Sequence, residues 1–145
     1  MLQGALSGMT IGADPARVFK HMNGFLCDHE EVGRYATLFF GTIDHAGNLD
    51  YLNAGHLSPL LLRRGEVTEL YTGGSLPVGL VPEAEFVMAR ATLEPDDTLI
   101  LFSDGVTEAE NPEGKQFGIS RLQAILAVQH DVPLDHLQQK IVESV

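Results

Sequence analysis

Two short stretches of this sequence place polar groups where a strand would hold them steady. Ser103-Asp104-Gly105 follows the apolar run Leu99-Ile-Leu-Phe102. Four apolar residues are too few for a helix and suit a buried strand. Such a strand delivers the Asp104 carboxylate at the mouth of the core, and Gly105 lets a backbone or a ligand approach it. A carboxylate fixed on a rigid element is a suitable ligand for a hard cation such as Mg²⁺ or Mn²⁺. The plain alternative is a strand that ends in an Asp-Gly turn. The second stretch is Asn53-Ala-Gly-His56, at the end of another strand. There His56 is either a satisfied turn residue or a group bordering a site. A third feature is Thr72-Gly-Gly-Ser-Leu-Pro-Val-Gly79, a glycine-rich loop too long for a tight hairpin and of a kind that often carries function.

Several chemistries are excluded by the same inspection. His21, His29, His45, His130 and His136 have no ligand spacing, and neither an H-E-x-x-H motif nor a Cys/His pair occurs, which excludes the usual zinc patterns. The Gly73–Gly79 loop lacks a Gly-Lys-Ser/Thr ending and precedes no helix, so it is not a phosphate loop. No serine nucleophile elbow and no Cys-His arrangement is present.

The 145 residues suffice for one domain with a real core, and 44% of them are apolar. A formal net charge of −11 disfavours nucleic acid or an anionic membrane as partner. The acidic residues are dispersed, as on a solvated surface. Cys27 is the single cysteine, so no internal disulfide can form, which fits a reducing compartment and a small buried apolar role. No apolar run reaches the roughly 18 residues of a membrane span, and Met1–Thr10 lacks the pattern of a signal peptide. These features point to a cytoplasmic protein without a membrane partner.

The elements that must position these groups follow from periodicity. Leu2, Ala5, Leu6 and Met9 give Met1–Ile11 a helical spacing, weakened by glycines. Asp14-Pro15 is a capped helix start, followed by the stripe Val18, Phe19, Met22, Phe25 and Leu26, with an end near Asp28 and Gly33 in the loop beyond. Ala36–Ile43 is apolar on both faces and predicts an interior strand. An Asp44–Asn48 turn then leads into Leu49–Asn53. Pro59–Leu62 and Val67–Tyr71 flank a turn at Arg63-Arg-Gly65, which gives an antiparallel meander. Glu85–Leu93 alternates as a strand, and Glu94-Pro-Asp-Asp97 turns it into the central strand at Leu99. After a polar loop at Asn111–Gly118, Ile119, Leu122, Ile125 and Leu126 predict one helix. Leu134, Leu137, Ile141, Val142 and Val145 predict another, entered through Asp131-Val-Pro133. Helices segregated around strands make an α+β domain. The chain shows no internal repeat, linker or low-complexity tract.

The order of the motifs is more specific than any one of them. The chain gives Thr37-Leu-Phe-Phe-Gly-Thr-Ile-Asp44, Leu52-Asn-Ala-Gly-His56, Pro59-Leu-Leu-Leu62, Leu76-Pro-Val-Gly79, Leu93-Glu-Pro-Asp-Asp97 and Ser103-Asp-Gly-Val-Thr-Glu-Ala109, with a weaker match at Gly114–Phe117. This succession resembles the PPM-type metal-dependent serine/threonine phosphatases, in the bacterial SpoIIE/RsbU branch. The resemblance covers nearly the whole chain. It implies an α-β-β-α sandwich of antiparallel sheets flanked by helices, with residues 1–145 as a single, partial phosphatase domain. It also implies hydrolysis of phosphoserine or phosphothreonine on a protein by water activated between two Mn²⁺ or Mg²⁺ ions. The implied partner is a phosphoprotein of the anti-anti-sigma-factor type.

Two family motifs are absent from the chain: an upstream Asp-x-x-Gly-x-Gly and a C-terminal strand with an Asp-Asp pair. The resemblance therefore implies a domain truncated at both ends, with Asp104 the one matched metal-ligand position. Gly105 gives room beside it, and Asn53, His56 and Gly79 are candidates for shaping the site. Glu108 and Glu110 match no ligand motif and are expected on the surface or in a loop. One carboxylate cannot hold a pair of ions against bulk water, so the chain alone is expected to be inactive. Strands deprived of neighbours are expected to favour self-association. The alternative is a pseudophosphatase that serves as a regulatory interaction module.

Overall fold

The computed structural model describes residues 14–28, 35–71, 75–129 and 131–145. The chain forms two compact units, Met1–His56 with Tyr71–Leu93, and Leu57–Leu70 with Glu94–Val145. Each is built from an antiparallel three-stranded sheet and its own apolar cluster. The expected helix at Met1–Ile11, together with Gly33 and Gly73, lies outside the described residues.

The first unit begins with α1 (Pro15–Asp28). The Asp14 carboxylate accepts the Ala16 amide at 3.1 Å, and Pro15 fills the first helical position, as capping chemistry requires. Val18, Phe19, Met22 and Asn23 form the buried stripe. Phe25, expected in that stripe, is 62% exposed. It sits about a quarter turn from the stripe's centre.

Strands β1 (Leu38–Ile43), β2 (Asn48–Ala54) and β5 (Ala89–Thr92) form this unit's sheet in the order β1-β2-β5. Pairing runs from Leu38 opposite Ala54 to Ile43 opposite Leu49. The β1–β2 turn is tied by the Asp44 carboxylate, which accepts from the Ala46 and Asn48 amides at 2.8 and 2.9 Å and from the Asn48 side chain. β1 is an edge strand of the described sheet and not the expected interior one, and Gly41–Ile43 are exposed. Gly41 and Thr42 interrupt its apolar run, whereas β2 carries Leu49 and Tyr51–Ala54 inward and takes the centre. β5 is also shorter than the expected Glu85–Leu93. Its ladder with β2 ends at Tyr51 opposite Ala89, and Phe86 leaves the sheet for the core. There the Phe19 ring meets Phe40 edge-on at 6.3 Å and Phe86 at 5.8 Å.

In the second unit β3 (Leu60–Arg63) is central, flanked by β4 (Glu66–Glu69) and β6 (Thr98–Ile100). The expected antiparallel strands are thus distributed over two sheets. Arg64 and Gly65 both have positive φ, 51° and 84°, the conformation of a two-residue hairpin turn that glycine favours. The strand before Asp104 is three residues long and lies at the sheet edge, and Leu101 is 48% exposed. The expected buried central strand at Leu99–Phe102 is therefore corrected: Leu60–Leu62, paired on both sides, hold the centre. The short helix α2 (Asp104–Thr107) follows.

Helices α3 (Ile119–Val128) and α4 (Leu134–Ser144) complete the unit. Leu122, Leu126 and Leu137 join Leu60, Leu62 and Phe117 in its core, with Ile141 packed against them. Leu134 and Val142, expected in the α4 stripe, are exposed. Leu134 begins the helix beyond the cluster, and Val142 lies about a third of a turn from the Leu137–Ile141 line. The Glu94–Asp97 turn is clasped to β3. The Asp97 carboxylate accepts the Glu94 amide at 2.7 Å and a two-pronged Arg63 guanidinium at 3.0 and 2.6 Å, while Arg63 and Arg64 both reach Glu94.

Candidate functional site

Asp104 is the first residue of α2, joined to β6 through Leu101–Ser103, which have left the strand. Ser103 before it is extended, with φ −97° and ψ 167°, and makes no side-chain cap. The turn is closed by main-chain bonds, Val106 to the Ser103 carbonyl and Glu108 to the Asp104 carbonyl at 2.7 Å. One Asp104 carboxylate oxygen accepts the Gly105 amide at 2.9 Å. Ser103, Asp104 and Gly105 are all exposed. A Cβ on Gly105 would meet only the Ser103 hydroxyl, at an ordinary 3.5 Å. The fold therefore does not demand glycine at 105, and its missing side chain leaves the space beside the carboxylate open.

The donor set around Asp104 does not by itself suit a divalent metal. Among the described residues no group of three or more His, Cys, Asp or Glu side chains converges. A hard cation of this kind needs about six oxygens, and one exposed carboxylate leaves nearly all of them to water. Glu108 and Glu110 are exposed, and Glu110 forms a bridge with Gln116.

The other candidates lie in the first unit. Asn53 is buried, and its amide grips His56 by the main chain alone: Oδ1 accepts the His56 amide at 2.8 Å and Nδ2 donates to the His56 carbonyl at 2.9 Å. Gly55 between them has φ 69°, and a Cβ there would collide with the Pro77 ring. His56 is half-buried, with Nδ1 at 3.3 Å from the Thr37 hydroxyl. Asn53 and His56 are thus brought into one closed turn. Gly79, with φ 86°, donates its amide to Oδ1 of Asn23 at 2.8 Å. Nδ2 of Asn23 donates to the Val81 and Pro82 carbonyls at 2.9 and 3.1 Å. Sequence reasoning missed Asn23, whose only signal was an amide set within an apolar helical stripe. Cys27 is half-buried.

The family model of Stage II sporulation protein E (SpoIIE) matches residues 1–145. The chain belongs to the SpoIIE family. Among its relatives, Protein IcfG of Synechocystis is 33% identical over 119 residues, 79% of this chain and 19% of that protein. Phosphoserine phosphatase RsbP of Bacillus subtilis is 29% identical over 141 residues, 94% of this chain and 33% of RsbP. This SpoIIE-family chain therefore spans between about a fifth and a third of these relatives.

Solved structures agree on the fold. The RsbU and RsbW domains of Rv1364c from Mycobacterium tuberculosis give a TM-score of 0.77 at 20% identity, covering 96% of this chain and 39% of that one. The PP2C phosphatase domain of SpoIIE from Bacillus subtilis, with a fragment of its regulatory domain, gives 0.71 at 21%, covering 99% and 42%. The expected α+β class, antiparallel sheets with helices, is that of the PP2C phosphatase domains. Among the described residues no helix is long and apolar enough to cross a membrane.

Proposed function

We propose that this chain is part of a protein phosphatase that hydrolyses phosphoserine or phosphothreonine on a regulatory protein of the anti-anti-sigma-factor type in the cytoplasm. The observation that carries the reading is the family match over the whole chain, in which Ser103-Asp-Gly stands exposed where a short helix begins. The name of RsbP, a phosphoserine phosphatase, supports the substrate class. Asp104 is one carboxylate of a Mn²⁺ or Mg²⁺ site that carries two ions when its remaining oxygens come from beyond the described residues. Gly105 keeps the approach to it clear, and Asn53, His56 and Gly79 shape the surface that receives the phosphoprotein.

One observation favours a second reading, a regulatory module without catalysis: no group of three metal-binding side chains converges among the described residues. A single experiment separates the two. Full-length protein is assayed with a phosphoserine protein in Mn²⁺, with and without Asp104→Asn, which keeps the size and removes the charge. The phosphatase reading expects turnover in the parent and a loss of roughly a hundred-fold or more in the variant, since metal charge stabilisation supplies several kcal/mol. A parent without turnover supports the regulatory module. A variant that keeps most of the parent rate removes Asp104 from the machinery.

A further inference from the structure

The turn from Asn53 to His56 devotes three uncommon features to holding one imidazole. A buried amide side chain grips both main-chain groups of His56. A positive-φ glycine, with no room for a side chain, fits against Pro77. The Thr37 hydroxyl engages Nδ1. Asn53 closes the turn on main-chain atoms alone. The ring reaches Thr37 through Nδ1, and Nε2 of His56 has no partner among the described residues.

The Thr37 hydroxyl can either donate to Nδ1 or accept from it. In the tautomer that accepts at Nδ1, the ring proton is on Nε2, which then donates. The imidazolium form donates from the same atom. An anionic oxygen is the strongest acceptor for such a group. In a chain of net charge −11, a phosphate dianion is repelled at long range, so its capture depends on a donor fixed at short range.

We propose that His56 is a substrate-contact residue whose Nε2 donates a hydrogen bond to a phosphoryl oxygen of the phosphorylated substrate, with Asn53 positioning it. This rests on the phosphatase reading and adds a recognition group to it. The chain, ¹⁵N-labelled at histidine, is titrated in metal-free buffer with inorganic phosphate, with a capped phosphoserine pentapeptide and with its unphosphorylated counterpart. The phosphopeptide is expected to bind in preference to the unphosphorylated peptide and to shift the His56 ring nitrogens. His56→Ala is expected to lose about ten-fold in affinity, the worth of a hydrogen bond to a charged group. His56→Gln, which retains a donor, is expected to lose less. Equal affinity for inorganic phosphate assigns the contact to the phosphoryl group itself, and tighter peptide binding adds contacts from flanking residues. Unchanged affinity in a folded His56→Ala variant, or ring nitrogens that do not respond to bound phosphopeptide, overturns the inference and leaves the phosphatase reading standing. An unsubstituted chain without preference for the phosphopeptide also overturns the inference, while the phosphatase reading is judged separately by turnover of the full-length protein in Mn²⁺.

Discussion

Asn23 and Asn53 are buried polar residues, and both use their amides on main-chain atoms. Burying an amide is tolerable only when its hydrogen bonds are made, and removing it strands its partners. Asn23→Leu leaves the Gly79 amide and the Val81 and Pro82 carbonyls without this partner. It is expected to destabilise the protein by about 3 kcal/mol, read as a lower urea midpoint at unchanged slope. A midpoint within error of the parent would show that water or a rearranged loop replaces the amide. At this scale the sequence was legible where the chemistry is local. Asp14 caps its helix and Asp44 ties its turn through residues two to four places away. Asn23 was not legible, because its carbonyl partners stand 58 and 59 residues along the chain. An amide on a helix reads as a solvent-facing group until that loop is in place.

The elements divide in the same way. Turn chemistry marked Asp44–Asn48, Arg63–Gly65 and Glu94–Asp97, and helical periodicity marked α1, α3 and α4. Which strand is central was not legible, because an apolar run reports burial and not its neighbours. β3 displaced β6 from the expected centre through pairing on both sides. The clasp between β3 and the Glu94–Asp97 turn gives a pH prediction. The Arg63 guanidinium holds the Asp97 carboxyl below the ordinary aspartate range, helped by the Glu94 amide and opposed by burial. A carboxylate with a lowered folded-state pKa stabilises the fold above its unfolded value, and that stability is lost as pH falls through the folded one. The urea midpoint of the parent should therefore fall on acidification below about pH 4. Asp97→Asn should be less stable at pH 6 and should fall less between pH 6 and pH 3. Parallel pH profiles for the two proteins would remove Asp97 from the acid response.

For the whole molecule, the ordered motifs made the fold legible where no single element did. Six short segments in sequence specify an architecture that neither composition nor periodicity could. The site was legible only in part. Asp104 stands exposed at the start of α2, beyond the end of β6, and spacing assigns it no second carboxylate, since convergence is a property of distant segments. The edges of both sheets and the net charge of −11 act together on association. Unpaired strand edges template pairing between copies, and like charge opposes it over a screening length of about 10 Å at 0.1 M salt. Light scattering on the chain should therefore show a mean mass that rises with salt. A monomer at low and high salt alike would show that the edges are already protected.

The Asn23 latch has a consequence for how this protein can vary. It recognises an amide and two carbonyls, groups that every ordinary residue carries, and it recognises nothing of the side chains at Leu80, Val81 or Pro82. Anchorage and presentation are thereby assigned to different residues. Position 23 is bound to one amino acid, while the side chain of the exposed Leu80 takes no part in the latch. A scaffold of this design can change what the loop displays to a partner without changing how the loop is held.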